Sequence, residues 1–273
     1  MTRLDNKVAI VTGAGTRSKN VSGVGVATAR AFADHGAKVL IVDMDEAAAK
    51  TTEEAITGVG GEASVFITDV AHETGCRGIV EAAVDRYGKL DILVNSVGIL
   101  GTGAVTEIDE EAWHRVLDVN LKSVAFISKY AIPAMIESGG GSIINISSVD
   151  GIRAGMSGSV SYTAAKGGMI SMTLAMAVHH GRENIRVNCI APGMIYTSMV
   201  ERVDARQREL RRRIAPLGTE GRAEDVAMAA VFLASDESRW ITGVVLPVDA
   251  GLMAAGPQSI LSNIIDDDRT LLE

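Results

Sequence analysis

Cysteine is scarce in this chain: two in 273 residues, Cys76 and Cys189. They lie far apart and match no CxxC or zinc-ligand spacing, which excludes a disulfide framework and a thiolate metal site. They read as two buried free thiols in a reduced, cytoplasmic setting. The five histidines, at 35, 72, 114, 179 and 180, show no metal-binding spacing such as HExxH, so no metal site is expected. Positive charge is also short, with 26 basic against 34 acidic residues and a net charge of −8. That balance argues against nucleic acid and anionic membrane surfaces as partners. No apolar run reaches the roughly 18 to 20 residues of a membrane span. The first residues, MTRLDNKVAIVTG, run straight into a strand pattern, so no cleaved leader is expected.

Aromatic residues make up only 4% of a chain that is 47% hydrophobic. The apolar mass is therefore mostly Ala, Val, Ile, Leu and Met, which suits parallel strands covered by helices. The 29 glycines against 5 prolines point to tight βα turns rather than disorder. Short apolar runs over 7–12, 38–42, 63–68, 91–94, 142–146, 185–190 and 244–248 read as seven strands. Helical spacing separates them over 24–35, up to about 57, 72–87, 110–136 and 163–180. Alternation of this kind means βαβ units, a parallel sheet and right-handed crossovers that place helices on both faces. No repeat, linker or composition break divides the chain. We expect one α/β domain over 1–251, with a polar, Arg-rich segment at 194–214 and a tail at 252–273.

The first βα turn carries Gly13, Gly15, Gly23 and Gly25. Glycines there let backbone approach a pyrophosphate, and the next helix offers free N–H groups and a positive dipole end. Asp43 ends the second strand, 18 residues beyond Gly25. A carboxylate at that tip accepts bonds from the adenosine ribose hydroxyls and repels a 2′-phosphate, so NAD is expected rather than NADP. Nine residues, 14–22, separate Gly13 from Gly23, and they include Arg17 and Lys19. These two charges read as solvated loop residues or as contacts to the pyrophosphate, and they are also the best argument for NADP.

These residues resemble the short-chain dehydrogenase/reductase family over nearly the whole chain. The family's TGxxxGxG turn stands here as Thr12-Gly13 and Gly23-Val24-Gly25, with six extra residues between them. Asp69-Val70 follows the third strand where the family contacts adenine. Asn95-Ser96-Val97-Gly98 stands for the family's NNAG and differs in two letters. Asn120 in DVNL, Ser148 after the fifth strand, and Tyr162 with Lys166 in YxxxK match the family's catalytic set. Pro192-Gly193 with Thr197 matches the PGxxxT after the sixth strand. YxxxK alone is a common pattern; its place after an NISS strand and before a PG strand end is what makes it specific.

The resemblance implies a doubly wound Rossmann domain that transfers a hydride between NAD(H) and a secondary alcohol or ketone. Tyr162 would be the acid/base. An unperturbed phenol titrates near pH ~10, so a neighbouring cation must favour the phenolate. Lys166, one helical turn on, would supply that charge and hold the nicotinamide ribose. Ser148 would bond the substrate oxygen, Asn120 would position a water, and Thr197 with the backbone at Ile195 would fix the carboxamide. Segments 101–106, 150–161 and 194–214 would wall a pocket for a small-molecule substrate. The family further implies a homotetramer or homodimer, with the tail packing on a neighbouring subunit. An NADP-dependent ketoreductase or 3-oxoacyl thioester reductase is the alternative. Enoyl thioester reductases space Tyr and Lys further apart, and position 169 here is Met. A non-catalytic dinucleotide-binding protein would be marked by loss of Tyr or Lys, and neither is lost. Met169, Met172 and Met176 read as core filler. The arginines at 202, 206, 208, 211, 212 and 213 read as a solvated helix or a site for an acidic substrate.

Overall fold

In the computed structural model, which describes residues 2–155 and 157–264, the first apolar run forms β1 (Val8–Thr12), buried along its whole length. There follow α1 (Val24–Asp34), β2 (Lys38–Asp43), α2 (Glu46–Thr57), β3 (Glu62–Ile67), α3 (Glu73–Tyr87) and β4 (Ile92–Asn95). The second half runs α4 (Glu110–Leu117), α5 (Ser123–Glu137), β5 (Gly141–Ile146), α6 (Val160–His180), β6 (Ile185–Pro192), β7 (Ile195–Tyr196), α7 (Ala205–Arg213), β8 (Gly221–Arg222), α8 (Ala223–Ala234), β9 (Val245–Val248) and α9 (Leu261–Ile264).

Seven of the strands form one parallel sheet in the order β3-β2-β1-β4-β5-β6-β9, while β7 and β8 pair separately. Side chains alternate between the faces. Ala9 and Val11 pack with Phe32 of α1, Ala49 and Ile56 of α2 and Val226 of α8. Ile10 packs on the other side with Ile79 of α3, Ile127 of α5 and Ala177 of α6. The sheet is thus covered on both faces, as the alternating pattern predicts. Strand order reverses between β1 and β4, and in such sheets a crevice opens there at the carboxyl ends. Thr12 bridges it: its hydroxyl donates to Val94 O (3.3 Å) and accepts from Ser96 N (3.0 Å).

Two elements differ from the sequence expectation. The single helix expected over 110–136 is broken by a widened π turn, Asp118–Lys122, between α4 and α5. Such turns are frequent at functional sites, and this one carries Asn120. Helix α8 was not expected. Its sequence, AEDVAMAAVFLA, is apolar almost all round and offers no polar stripe to count. The tail was expected to pack on a neighbouring subunit. Its described part makes contacts within its own chain: Leu252 is buried and accepts from Arg153 Nη2 (2.7 Å), and α9 packs on α7. The acidic end, 265–273, lies outside the described residues. No helix among the described residues is long and apolar enough to cross a membrane.

Candidate active site

The glycine turn is built for close backbone approach. A methyl on Gly25 would collide with the carbonyl of Gly13, so α1 starts tight against the end of β1. Gly23 caps α1, and no side chain occupies the N–H groups of the first turn. Those groups, from Val24 onward, are the donors a pyrophosphate needs, whereas Gly13 N and Gly15 N already donate to Val42 O and Asp43 and line the turn with bare backbone. Beside the crevice, Ser96 Oγ has no partner. A dinucleotide therefore fits the residues present.

Asp43 ends β2 at 3% exposure. Its carboxylate accepts from Gly15 N (2.9 Å), Asp45 N (3.1 Å) and Arg17 Nη2 (2.5 Å). Arg17 is therefore not a free loop charge; it is half exposed and sits on the acidic tip. The long loop 14–22 has further anchors. Thr16 N donates to Ala48 O, and Ser18 Oγ donates to Glu201 (3.0 Å) in the segment after Thr197. Asp69 lies after β3, accepting from Ala71 N (2.9 Å) and Arg115 (3.0 Å), with Val70 buried behind it. Asn95, at the end of β4, is turned inward, donating to Asn145 Oδ1 (2.9 Å), and Asn145 Nδ2 in turn donates to Thr173 Oγ1 (2.9 Å).

Four side chains meet near the end of β5. Ser159 caps α6 by accepting from Tyr162 N (3.2 Å), which sets Tyr162 in the first turn. Lys166 follows on the same face at 3% exposure. Its Nζ donates to Ile146 O (2.7 Å) and lies 5.7 Å from the Tyr162 ring centroid. Ser147 is committed to the helix, donating to Lys166 O (2.8 Å), whereas Ser148 lies beside the phenol. Asn120 is fully buried in the π turn, clipped to Ile99 through both amide atoms at 2.8 Å each. A methyl on Gly98 would come within 3.4 Å of Lys166 Nζ and 3.8 Å of Asn120 Oδ1, so lysine and asparagine converge under Gly98.

The electrostatics follow from burial. The Lys166 ammonium is desolvated, which pulls its pKa down to about 8; the Cys189 thiol beside it acts weakly the other way. Burial pushes the Tyr162 phenol above its ordinary value. Ser148 opposes the rise and the charge of Asp150 adds to it. The sequence argument expects Lys166 to lower this phenol. The ammonium instead donates to a strand carbonyl, so its proton-bearing end serves β5. A phenol held in the protonated form is suited to give a proton to a carbonyl oxygen becoming an alkoxide.

On the other rim, Pro192 ends β6 and Gly193 N donates to Val248 O (3.0 Å). Ile195 is buried and Thr197 is partly exposed at the head of the Arg-rich segment. The arginines there are largely engaged within the chain. Arg208 and Arg211 hold Glu220 at 2.8 Å, Arg212 and Arg213 hold Glu209, and Arg208 stacks 3.6 Å from the Tyr196 ring centroid. Sequence reasoning put Arg17 in the phosphate loop and Asp150 in the pocket wall without finding the partner of either. Their opposite charges were visible, but their partners lie far off in sequence or across a turn.

Comparison with known proteins bears on the family and the fold. Residues 18–253 match a family model described as enoyl-(acyl carrier protein) reductase. The chain is 39% identical over 251 residues to the 3-oxoacyl-[acyl-carrier-protein] reductase FabG of Thermotoga maritima, covering 92% of this chain and 99% of that protein. A short-chain dehydrogenase/reductase structure from Burkholderia xenovorans superposes with a TM-score of 0.89 at 40% identity, over 94% of this chain and 100% of that one. A 7α-hydroxysteroid dehydrogenase solved with NADH and 7-oxo glycochenodeoxycholic acid gives 0.85 at 33% identity, over 92% and 95%. The chain belongs to the short-chain dehydrogenase/reductase family and is an oxidoreductase of that family.

Proposed function

We propose that this oxidoreductase interconverts a secondary alcohol and its ketone with NAD(H), using Tyr162 as general acid/base. The observation that carries the reading is the convergence of Tyr162, Lys166, Ser148 and Asn120 at the end of β5, beside a helix start with open N–H groups. Nicotinamide, when bound there, supplies the hydride acceptor or donor. Ser148 holds the reacting oxygen. Tyr162 gives that oxygen a proton in ketone reduction and takes one in alcohol oxidation. Lys166 stabilises the phenolate left after reduction and holds the ribose. Asn120 keeps the lysine end of the site in register with Ile99 and orders a water for proton return. The turn at Gly13, Gly15, Gly23 and Val24 cradles the pyrophosphate. Asp69 and Val70 flank the adenine, Gly98 and the backbone at Asn95 line the crevice, and Pro192, Gly193, Ile195 and Thr197 fix the carboxamide.

NAD is preferred because Asp43 places a carboxylate where a 2′-phosphate would sit, and a 33% identical relative was solved with NADH. Arg17 favours a second reading, NADP use, because it neutralises that carboxylate. A 3-oxoacyl thioester is the alternative substrate class, supported by the FabG relatives. The lid is segment 194–214. Exposed Leu174 and Val178 on α6 support a homotetramer or homodimer. The two free thiols suit a cytoplasmic enzyme.

The test is Tyr162→Phe. Turnover of alcohols and ketones, read at the absorbance of reduced nicotinamide, is expected to disappear while NADH binding by fluorescence stays as in wild type. Substantial remaining turnover refutes the assignment.

A further inference from the structure

At the amino ends of β1, β4, β5 and β6, on the sheet edge opposite the crevice, lies a cavity of about 170 Å³ that the mechanism above does not use. Its basic lining is Lys7, Arg186 and Arg239. Arg186 stands second in β6 and is half-buried. Its Nη1 donates to Ser238 Oγ (2.9 Å) and Ile241 O (3.4 Å), and its Nη2 donates to Ser235 O (3.3 Å). A guanidinium carries five N–H donors. The Nε–H and one N–H of Nη2 are therefore left over, on neighbouring nitrogens of one planar fork. Among the described residues no ion pair reaches Arg186 or Arg239. Drawing a cation out of water without a counter-ion costs free energy that an anion would return. Two carboxylates share the lining. Asp91 is committed, accepting from Val8 N (2.8 Å) and Lys89 (2.9 Å), and it leaves Lys7 a contact of only 4.0 Å. Asp236 is exposed and pairs with neither arginine. Three cations thus face one uncommitted carboxylate. The remaining wall is the Gly139–Gly140 turn, kept bare because a methyl on Gly140 would collide with Asn184.

We propose that this cavity binds a phosphate group at a site separate from the dinucleotide groove: Arg186 takes its oxygens through the two spare donors of the fork, while Arg239 and Lys7 neutralise the remaining charge. A guanidinium fork matches two oxygens of such a group. Three cations suit a phosphate, which carries nearly two negative charges at neutral pH, better than a carboxylate with one. The volume is several times the roughly 30 Å³ share of one water, so a phosphate group has room. The site is remote from the chemistry. Arg186 and Pro192 stand six residues apart on β6, a span of roughly 20 Å along a strand. The bound group therefore touches no reacting atom, and the inference stands apart from the alcohol/ketone reading. Its donors come from β6, from the turn after α8 and from the residue before β1, which only the folded sheet brings together. A ligand held there stabilises the folded chain.

The experiment is isothermal titration of the whole chain with inorganic phosphate and, separately, with glycerol 3-phosphate. NADH is kept in excess so that the open N–H groups of α1 are taken, and chloride holds the ionic strength constant. Wild type is compared with the double variant Lys7→Gln, Arg239→Gln, whose side chains lie at the mouth and leave both the fold and the glycine turn alone. A second variant, Arg186→Lys, keeps the charge and removes the fork. Wild type is expected to show saturable binding. Each variant is expected to bind at least about 10-fold more weakly, the range of a lost charge-assisted hydrogen bond, with NADH binding unchanged. The tighter of the two probes identifies the source of the phosphate group, the free ion or a phosphate monoester. Absence of saturable binding of either probe to wild type, or equal affinity in wild type and the double variant, overturns the proposal.

Discussion

Replacing Lys166 by Met separates what this lysine does for chemistry from what it costs the fold. The ammonium is buried, and desolvation lowers its pKa from 10.5 to about 8. At about 1.36 kcal/mol per unit, that drop corresponds to about 3 kcal/mol of destabilisation while the lysine is charged in both states. The sign follows from proton binding. Between pH 8 and 10.5 the unfolded chain holds the proton more tightly than the folded one, so stability rises with pH through that window. The penalty is fully present below about pH 8 and gone above 10.5. Methionine removes the charge but also the bond from Nζ to Ile146 O (2.7 Å), leaving a buried carbonyl short of a donor. That loss costs about 1–3 kcal/mol at any pH. The Met variant is therefore expected to gain on the order of 1 kcal/mol at pH 7 and to lose on the order of 2 kcal/mol near pH 10.5. Urea unfolding followed by circular dichroism, with both proteins at one concentration, reads the difference directly. Taking variant minus wild type cancels the other groups that titrate at high pH. A variant less stable by the same amount at both pH values refutes the claim that Lys166 is held against its own desolvation.

Three further substitutions bear on the dinucleotide. Asp43→Ala is expected to weaken NAD use and raise NADP use, whereas Arg17→Gln is expected to sharpen the preference for NAD by leaving Asp43 uncompensated; kcat/KM for both cofactors in parallel decides, and a wild type that already prefers NADP refutes the role given to Asp43. Gly25→Ala drives a methyl into the Gly13 carbonyl and is expected to cost about 1–3 kcal/mol of stability. It should also raise the Kd for NADH by pushing α1 away from the phosphate turn, and unchanged NADH titrations would count against that packing.

Most of the sheet was legible because its strands are short apolar runs bounded by turn residues, as in VAIVT before Gly13 and KVLIVD ending at Asp43. The candidate site was legible for the same reason. Its residues stand at strand ends, so fixing the strands fixes Asp43, Ser148 and Pro192 at one edge. Information was lost where a contact joins distant positions. Asn120 sits in a π turn clipped to Ile99, 21 residues away, and no local pattern in DVNLK marks that widening. Asn95 turns inward because Asn145, 50 residues on, accepts its amide. Arg17 reaches Asp43 across 26 residues, so a loop charge that looks solvated becomes the counter-ion of the cofactor tip.

That last pairing bears on how a lengthened phosphate turn works. Six extra residues between Gly13 and Gly23 would by themselves loosen the loop, because each added residue adds chain entropy that order must overcome. The chain offsets this with anchors at both ends of the dinucleotide groove. Arg17 and Thr16 tie one end to β2 and α2, and Ser18 ties the other to Glu201 beyond Thr197. The loop thereby joins the residue proposed for cofactor choice to the segment proposed as the lid. A substitution at Arg17 should then be felt in two places. Cofactor preference changes through the charge at Asp43, and lid mobility changes through the loop that carries Ser18. The two effects separate experimentally, because Glu201→Gln weakens the second anchor and leaves the Asp43 charge untouched.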